Sequence, residues 1–436
     1  MRVLMTSFAM DAHFAGSVPL AWALRAAGHE VQVASQPALT GTITAAGLTA
    51  VPVGVDHDHD AVLREAGPSI FALHQNKDYL ENNHERLEPD FLTGHITVMT
   101  ALFYSRINSD SMIDDLVEYA RYWQPDLVVW EPFTFAGAVA ALASGAAHAR
   151  LLSFPDMFLN ARKLFLEGLR NRRSPNDDDP MADWLGPVLA RFGCEFGEEA
   201  VTGQWSVDQM PVGVRLSLGN RLVPMRYVPY NGLVPAVVPG WLRSAPARPR
   251  VCVTLGVTAQ RSGFPHTVPL EDLFAAVRDL DVEIVATMSA AELAQVPDVP
   301  ENVRLVESVP LDVLLPTCSA IVHHGGAGTW ATAAALGVPQ VAMGWMWDHL
   351  YRAQRLEALG AGLHLPTDEL TPTGLRDRLV RLLEEPGFRK NAESLSASMR
   401  SEPSPAAVVP VLERLTERHR PVRGTGARLR PRVPAL

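Results

Sequence analysis

The sequence predicts an α/β protein of two doubly wound, Rossmann-like domains facing each other across a cleft. Three observations predict it. At 436 residues the chain is too long for a typical single domain, and two of about 200 residues each is the natural division. The first fifty or so residues read strand, helix, strand, helix, strand. A second series of the same kind opens at Val251. Strands separated by helices at this spacing form parallel sheets with right-handed crossovers, and such sheets bind ligands at the carboxyl ends of their strands.

Met1 to Ser7 is a short apolar strand, followed by a loop to Gly16 that carries Asp11 and His13. Leu20, Leu24 and Ala27 mark the buried face of a helix stopped by Gly28. Val31 to Ala34 is the second strand, Thr42 to Ala46 a short helix and Thr49 to Val53 the third strand. The period is then lost, so 56–122 reads as an irregular insertion with an amphipathic piece at Ile113 to Tyr122. Leu127-Val128-Val129-Trp130 returns as a strand ending at Glu131, and Ala149 to Leu152 follows its crossover helix. Residues 166–182, with Asp177-Asp178-Asp179-Pro180, read as an exposed loop. The first domain is expected over 1–220. Residues 221–241, rich in proline and glycine and without a period, are expected as the interdomain linker.

The second domain is expected over 242–403, with strands at Val251 to Leu255, Glu283 to Thr287, Val303 to Val306, Ala320 to Val322 and Gln340 to Met343. Helical spacing of Val408, Val411, Leu412 and Leu415 predicts a helix over 404–420. The Gly-, Pro- and Arg-rich tail 421–436 is expected to be disordered.

Composition narrows the class. Hydrophobic residues at 47% and charged residues at 20% are ordinary for a soluble globular protein. A net charge of -10 argues against nucleic acid as the main partner, while leaving room for a local basic pocket. Cys194, Cys252 and Cys318 are far apart and odd in number, giving neither a zinc pattern nor a disulfide framework, which suits a reducing cytoplasm. The most apolar segment, Phe135 to Ala147, falls short of the roughly 18 residues that span a bilayer, so a buried helix is expected and no membrane association.

The chain is organised around His323-His324-Gly325-Gly326-Ala327-Gly328-Thr329, which follows a strand and opens a helix. Glycines allow close approach of the backbone, and the free N–H groups of a helix's first turn favour an anion, so a phosphate suits this turn. No lysine follows the glycines as in a P-loop, and the dinucleotide spacing is absent. The two histidines neighbour each other on a strand and point to opposite faces, which opposes joint metal ligation.

Together with Trp347-Asp348-His349, this stretch resembles the donor-binding signature of nucleotide-sugar glycosyltransferases of the GT-B type, which are built from two Rossmann-like domains. Met10-Asp11-Ala12-His13-Phe14, Trp130-Glu131-Pro132-Phe133 and Met225-Arg226-Tyr227-Val228-Pro229-Tyr230-Asn231-Gly232 resemble the actinomycete antibiotic glycosyltransferases. Within these the chain is most similar to anthracycline enzymes that attach aminodeoxysugars, over residues 1 to about 420.

The resemblance implies roles. By position alone His13 is either a base or a capping or packing histidine; the resemblance makes it the base that deprotonates the acceptor hydroxyl. Glu131 falls where relatives carry the carboxylate that pairs with that histidine, and many of them have Asp there; a buried structural glutamate is the competing reading. For the donor diphosphate the resemblance implies His324, Gly325, Gly326, Gly328 and Thr329, with Thr258 from the opposite side and His323 supporting the turn. Val309 lies where the family's backbone meets the nucleobase. Asp348 and His349 match a pair that holds donor-sugar hydroxyls, His349 departing from the usual Gln, and Trp345 and Trp347 would wall the sugar. The C-terminal helix is implied to cross back to the first domain. Asp56-His57-Asp58-His59-Asp60 contains an Asp-x-Asp spacing that metal-dependent transferases use, but it lies far from the phosphate turn and is expected as a solvated loop.

The expectation is therefore an inverting, metal-independent, cytoplasmic transferase that moves a deoxyhexose, an L-aminodeoxysugar by resemblance, from a TDP-sugar to an aromatic polyketide of the anthracycline type. No cofactor beyond the TDP-deoxysugar co-substrate is expected. A P450-like auxiliary activator protein on the first domain, with residues 56–122 as its contact, and a homodimer are further implications. A macrolide acceptor, a nucleotide-sugar epimerase and a non-catalytic nucleotide-sugar-binding protein are the alternatives.

Overall fold

The structure is a computed structural model that describes residues 1–58, 61, 89–172, 178–230, 232, 237–254, 269–288, 298–344 and 347–420. Seven strands form the first sheet: β1 (Arg2–Thr6), β2 (Glu30–Ser35), β3 (Thr49–Pro52), β4 (Leu127–Trp130), β5 (Ala147–Leu152), β6 (Trp205–Asp208) and β7 (Leu222–Pro224). Six form the second: β8 (Arg250–Thr254), β9 (Glu283–Thr287), β10 (Val303–Val306), β11 (Ala320–His323), β12 (Gln340–Ala342) and β13 (Gly362–His364). The orders are β3-β2-β1-β4-β5-β6-β7 and β10-β9-β8-β11-β12-β13, with every pairing parallel.

In each sheet the strand order reverses once, between β1 and β4 and between β8 and β11. A doubly wound sheet opens a crevice at that point, because the crossovers on its two sides leave in opposite directions. Thr6 and Trp130 end the paired strands at the first crevice, and Thr254 and His323 at the second.

Three strands, β6, β7 and β13, have no counterpart in the expectation from sequence. Trp205–Asp208 is fully buried yet half polar, Leu222–Pro224 ends in a proline within the segment expected as linker, and Gly362–His364 opens on a glycine. None presents the apolar run by which a buried strand is recognised.

Two further expectations are corrected. Residues 166–172 continue the helix Met157–Arg172, and residues 180–182 open the helix Pro180–Ala190, so both ends of the expected loop are helical. The reason is local: Asp179 caps the second helix through the N–H groups of Met181 and Ala182, Pro180 occupies its first turn, and the buried Arg162 grips both Asp179 oxygens at 2.6 and 2.7 Å. The described part of the 56–122 insertion is helical rather than irregular. Helix Pro89–Met99 leads through a π-helical turn, Thr100–Tyr104, towards helix Asp110–Trp123. The last is capped by Ser109 and buries Met112, Ile113, Leu116, Val117 and Ala120 in the cluster that holds helix Phe135–Ser144.

The final described helix, Pro405–His419, packs against helix Val18–Ala26 and against β5 and β7 of the first sheet. Val408, Val409, Leu412 and Leu415 enter the core that also holds Val3, Leu24 and Leu127. His29 and Glu413, 3.1 Å apart, and Arg420 and Asp126, 2.6 Å apart, bracket the contact.

Direct bonds tie the halves together. Arg355 Nε donates to the carbonyl of Gly213 at 2.8 Å, and the Tyr351 hydroxyl donates to that of Val214 at 3.2 Å. Tyr227, from the connecting segment, donates to the Gly328 carbonyl at 3.3 Å and meets the Thr332 hydroxyl at 3.2 Å.

Candidate active site

His13 does not lie in a loop: it sits in a five-residue helix, Asp11–Ala15, immediately after β1. The Met10 carbonyl accepts from the N–H groups of both His13 and Phe14 at 3.1 Å, closing the turn before Gly16. Glu131 follows β4 on the adjacent strand. The two side chains meet, with His13 Nδ1 2.9 Å from Glu131 Oε1. The longer glutamate reaches because its other oxygen is pinned. Oε2 accepts from the Phe133 N–H at 2.9 Å and from the Thr134 hydroxyl at 3.0 Å. Thr134 Oγ1 in turn accepts from the Phe8 N–H at 2.9 Å.

An ionised carboxylate only accepts, so Nδ1 must carry the proton and Nε2 is left as the ring's acceptor. His13 is one-fifth exposed and Glu131 is buried. The pair lines a pocket with Thr6, Ser7, Ser17 and Ser153, and rings of Phe8, Phe133 and Phe154 stand 4.6, 5.9 and 5.9 Å from the imidazole. Phe103 packs on Phe8 and Phe133 at 5.9 and 5.5 Å. Aromatic rings thus surround the His13 imidazole on several sides.

Three supporting residues have no sequence signal of their own. Gln36 Oε1 accepts from the Ala9 N–H at 2.8 Å, while its amide donates to the Ile107 carbonyl at 2.7 Å. Asn108 donates to the carbonyls of Tyr104 and Phe133 and accepts from the Ala136 N–H, at 2.8, 2.8 and 2.9 Å. With Thr134 they lock the segments on both sides of the His13 pocket.

In the second domain the glycine turn joins β11 to helix Ala327–Ala335, as expected. Gly325 takes φ +97°, a conformation open mainly to glycine. A Cβ at Gly326 would stand 2.6 Å from His324 Nε2, so the imidazole lies directly over the glycine. Gly326 caps the helix without a side-chain bond, Gly328 is exposed and Thr329 half-exposed. The first-turn N–H groups therefore have no intrahelical acceptor and meet an open surface.

His323 is fully buried and both its nitrogens are engaged, Nδ1 accepting from the Gly325 N–H at 3.0 Å and Nε2 facing Gln340 Oε1 at 2.8 Å. Burial holds His323 down to about 4 and His324 to about 3, so both rings are neutral at pH 7. Burial lowers His349 too, and the His324 and His349 rings meet edge to face at 6.1 Å. The Nδ1 atoms of His324 and His349 are buried with no hydrogen-bond partner among the described residues.

Trp347, Asp348 and His349 open helix Trp347–Ala358. Trp347 has a left-handed backbone, φ +41°, and its ring lies 4.6 Å from that of His95 in the insertion helix of the first domain. Asp348 pairs with the buried Arg352 at 2.8 Å. Val309 follows β10 and sends its side chain into the cluster of Leu242, Leu314 and Leu315. Thr258 and Trp345 lie outside the described residues, as do His59 and Asp60 of the Asp-x-Asp stretch. In that stretch Asp56 accepts from the Ala38 N–H and Asp58 from the Ala61 N–H, at 2.7 and 3.2 Å. His57 is not solvated as expected: it is half-buried, 5.7 Å from the Phe8 ring. Among the described residues no group of three or more His, Cys, Asp or Glu side chains is arranged to hold a metal, and no helix is long and apolar enough to cross a membrane.

Comparison with known proteins matches residues 22–256 to the domain family described as "Erythromycin biosynthesis protein CIII-like, N-terminal domain" and residues 271–415 to its C-terminal counterpart. Aklavinone 7-beta-L-rhodosaminyltransferase of Streptomyces galilaeus is 60% identical over 428 residues, 96% of this chain and 97% of its own. The TDP-daunosamine transferase DnrS of Streptomyces peucetius is 54% identical over 430 residues, 98% of this chain and 100% of its own. Among solved structures, glycosyltransferase VinC in complex with dTDP superposes with a TM-score of 0.86 at 42% identity, covering 96% of this chain and 100% of that one.

Proposed function

The chain belongs to the erythromycin biosynthesis protein CIII-like glycosyltransferases, of the GT-B fold, and from that premise we propose that it transfers an L-aminodeoxysugar from TDP to a hydroxyl of an anthracycline-type aglycone. The observation that carries the reading of the chemistry is the contact of His13 Nδ1 with Glu131 Oε1. It leaves Nε2 free to take the proton of an acceptor hydroxyl. The oxygen attacks the anomeric carbon on the face opposite the diphosphate, which inverts that centre, and negative charge develops on the leaving phosphate. Donors already in place at that point stabilise the transition state without reorganising. His324, as a neutral N–H donor, and the N–H groups of Gly326, Gly328 and Thr329 at the start of helix Ala327–Ala335 are the groups in this chain fitted to do so. On this reading Asp348, His349 and Trp347 bind the sugar, Val309 meets the thymine, and Thr258 approaches the phosphate from the far side.

No step of this scheme requires a metal ion. We assign the first domain, 1–220, to the acceptor and the second, 242–403, to the donor. A P450-like auxiliary protein would bind the first domain within residues 56–122, and the reaction would take place in the cytoplasm. A macrolactone acceptor is the second reading, favoured by the 10-deoxymethynolide desosaminyltransferase of Streptomyces venezuelae, 50% identical over 422 residues.

The test is mass spectrometry of aklavinone and of 10-deoxymethynolide, each incubated with the protein and TDP-daunosamine, with and without the candidate auxiliary protein. The expected result is a gain of one deoxysugar on aklavinone. A gain on the macrolactone alone overturns the anthracycline assignment.

A further inference from the structure

Arg352 lies one helical turn after Asp348, on the same face of helix Trp347–Ala358. Its side chain is fully buried. Nη2 donates to the Gly325 carbonyl at 2.7 Å and lies 2.8 Å from Asp348 Oδ2, while Nε reaches the Asp348 carbonyl at 3.3 Å. Nη1 is buried with no partner among the described residues.

As packing this is a poor choice. Taking a guanidinium out of water is costly, one carboxylate and two carbonyls compensate it only in part while Nη1 has no partner among the described residues, and an apolar side chain of similar size commonly serves stability as well or better. What the guanidinium does, and an apolar residue would not, is join two parts of the donor site. Gly325 is the left-handed residue of the phosphate turn, and Asp348 opens the helix that faces it. Nη2 reaches both at once, and Nε, on the same planar fork, fixes its angle by holding the Asp348 carbonyl, a second anchor that an ammonium lacks. The three histidines beside the turn are neutral at pH 7, and the charge of Arg352 is among the causes. Among the described residues the buried positive charge next to the turn is thus Arg352's.

We propose that Arg352 is a positioning residue of the donor site, whose one guanidinium sets the sugar-binding carboxylate Asp348 in register with the phosphate turn at Gly325. The proposal rests on the reading of Asp348 as a donor-sugar contact.

The experiment is a double-mutant cycle of Asp348→Asn and Arg352→Met in the full chain, with binding of TDP and of TDP-daunosamine followed by calorimetry and folding by thermal melting. The quantity read is the factor by which a variant weakens TDP-daunosamine beyond the factor by which it weakens TDP. Each single change is expected to raise that factor about tenfold, and the double change no more than about threefold beyond the worse single, because neither group acts without the other. TDP itself should weaken with Arg352→Met, through Gly325, and stay within about threefold of the native value with Asp348→Asn. Arg352→Lys, which keeps the charge without the fork, should recover TDP affinity and not the sugar-dependent factor. Factors that multiply across the cycle overturn the proposal while leaving the donor-sugar reading of Asp348 intact. An Asp348→Asn protein that binds TDP-daunosamine like the native one overturns that reading, and the proposal with it. Should Arg352→Met lose its melting transition, the cycle with Arg352→Lys is judged by the same criterion.

Discussion

Glu131 holds His13 by one oxygen and the protein backbone by the other. Oε1 stands 2.9 Å from the imidazole Nδ1, and Oε2 accepts from the Phe133 N–H and the Thr134 hydroxyl. A glutamine at 131 would keep its carbonyl oxygen on those two donors and turn its NH2 group towards Nδ1. The ring would then adopt the tautomer with the proton on Nε2, unable to act as a base. Glu131→Gln and His13→Ala are each expected to lower kcat by about 10²- to 10⁴-fold, with TDP binding unchanged. Steady-state kinetics alongside TDP titration check this, and turnover near the native rate in either variant removes the base assignment.

Thr134 is fully buried and its hydroxyl serves both neighbours, accepting from the Phe8 N–H and donating to Glu131. Thr134→Val keeps the shape and strips both bonds, leaving a buried N–H and a carboxylate oxygen short of partners. A loss of about 1–3 kcal/mol in urea unfolding is expected, together with reduced kcat, and Thr134→Ser should restore much of both.

Gly326→Ala places a methyl group 2.6 Å from His324 Nε2. The far end of a side chain can swing aside, so the melting temperature should hardly move. The displaced ring no longer reaches the donor, and kcat/KM for the TDP-sugar should fall roughly 10- to 100-fold. A variant with native donor kinetics would show that His324 does not contact the diphosphate.

Burial holds His323 down to about 4, from an ordinary value of 6.5. In the window between these values the unfolded chain binds the proton and the folded one does not, so stability is retained above 6.5 and falls as pH falls towards 4. The slope from this one group is about 1.4 kcal/mol per pH unit at most. Urea midpoints measured from pH 7.5 to 4.5 should decline in that direction, and His323→Asn should flatten the decline. An equally steep decline in that variant would assign it to other groups.

The glycine turn was legible in the sequence because its signal is local: an apolar strand, adjacent glycines and a helix that begins at once. Glu131 was picked out by the family resemblance, which sets a carboxylate at the end of that strand, and its side chain does meet His13. Thr134, Asn108 and Gln36 were not, since each works through contacts with distant segments, such as Gln36 with Ile107. Arg352 was not singled out in the sequence; its four-residue spacing from Asp348 was the available sign, and such pairs are usually exposed. Strands β6, β7 and β13 were missed because they are short and carry polar, proline or glycine residues. Their burial comes from the sheet around them. Helix Asp11–Ala15, with only five residues, is set by the Met10 carbonyl and the start of the next helix rather than by any apolar period.

Helix Pro405–His419 gives the chain a closed course. Its apolar side supplies Val408, Val409, Leu412 and Leu415 to a core begun by Val3 and Met5. During synthesis the first domain must wait, with one flank of its sheet uncovered, while the whole second domain is made and folds as an excursion between two portions of its host. Shortening the chain to end before Pro405 would therefore damage the domain that was translated first, and would spare the second domain nearest the cut.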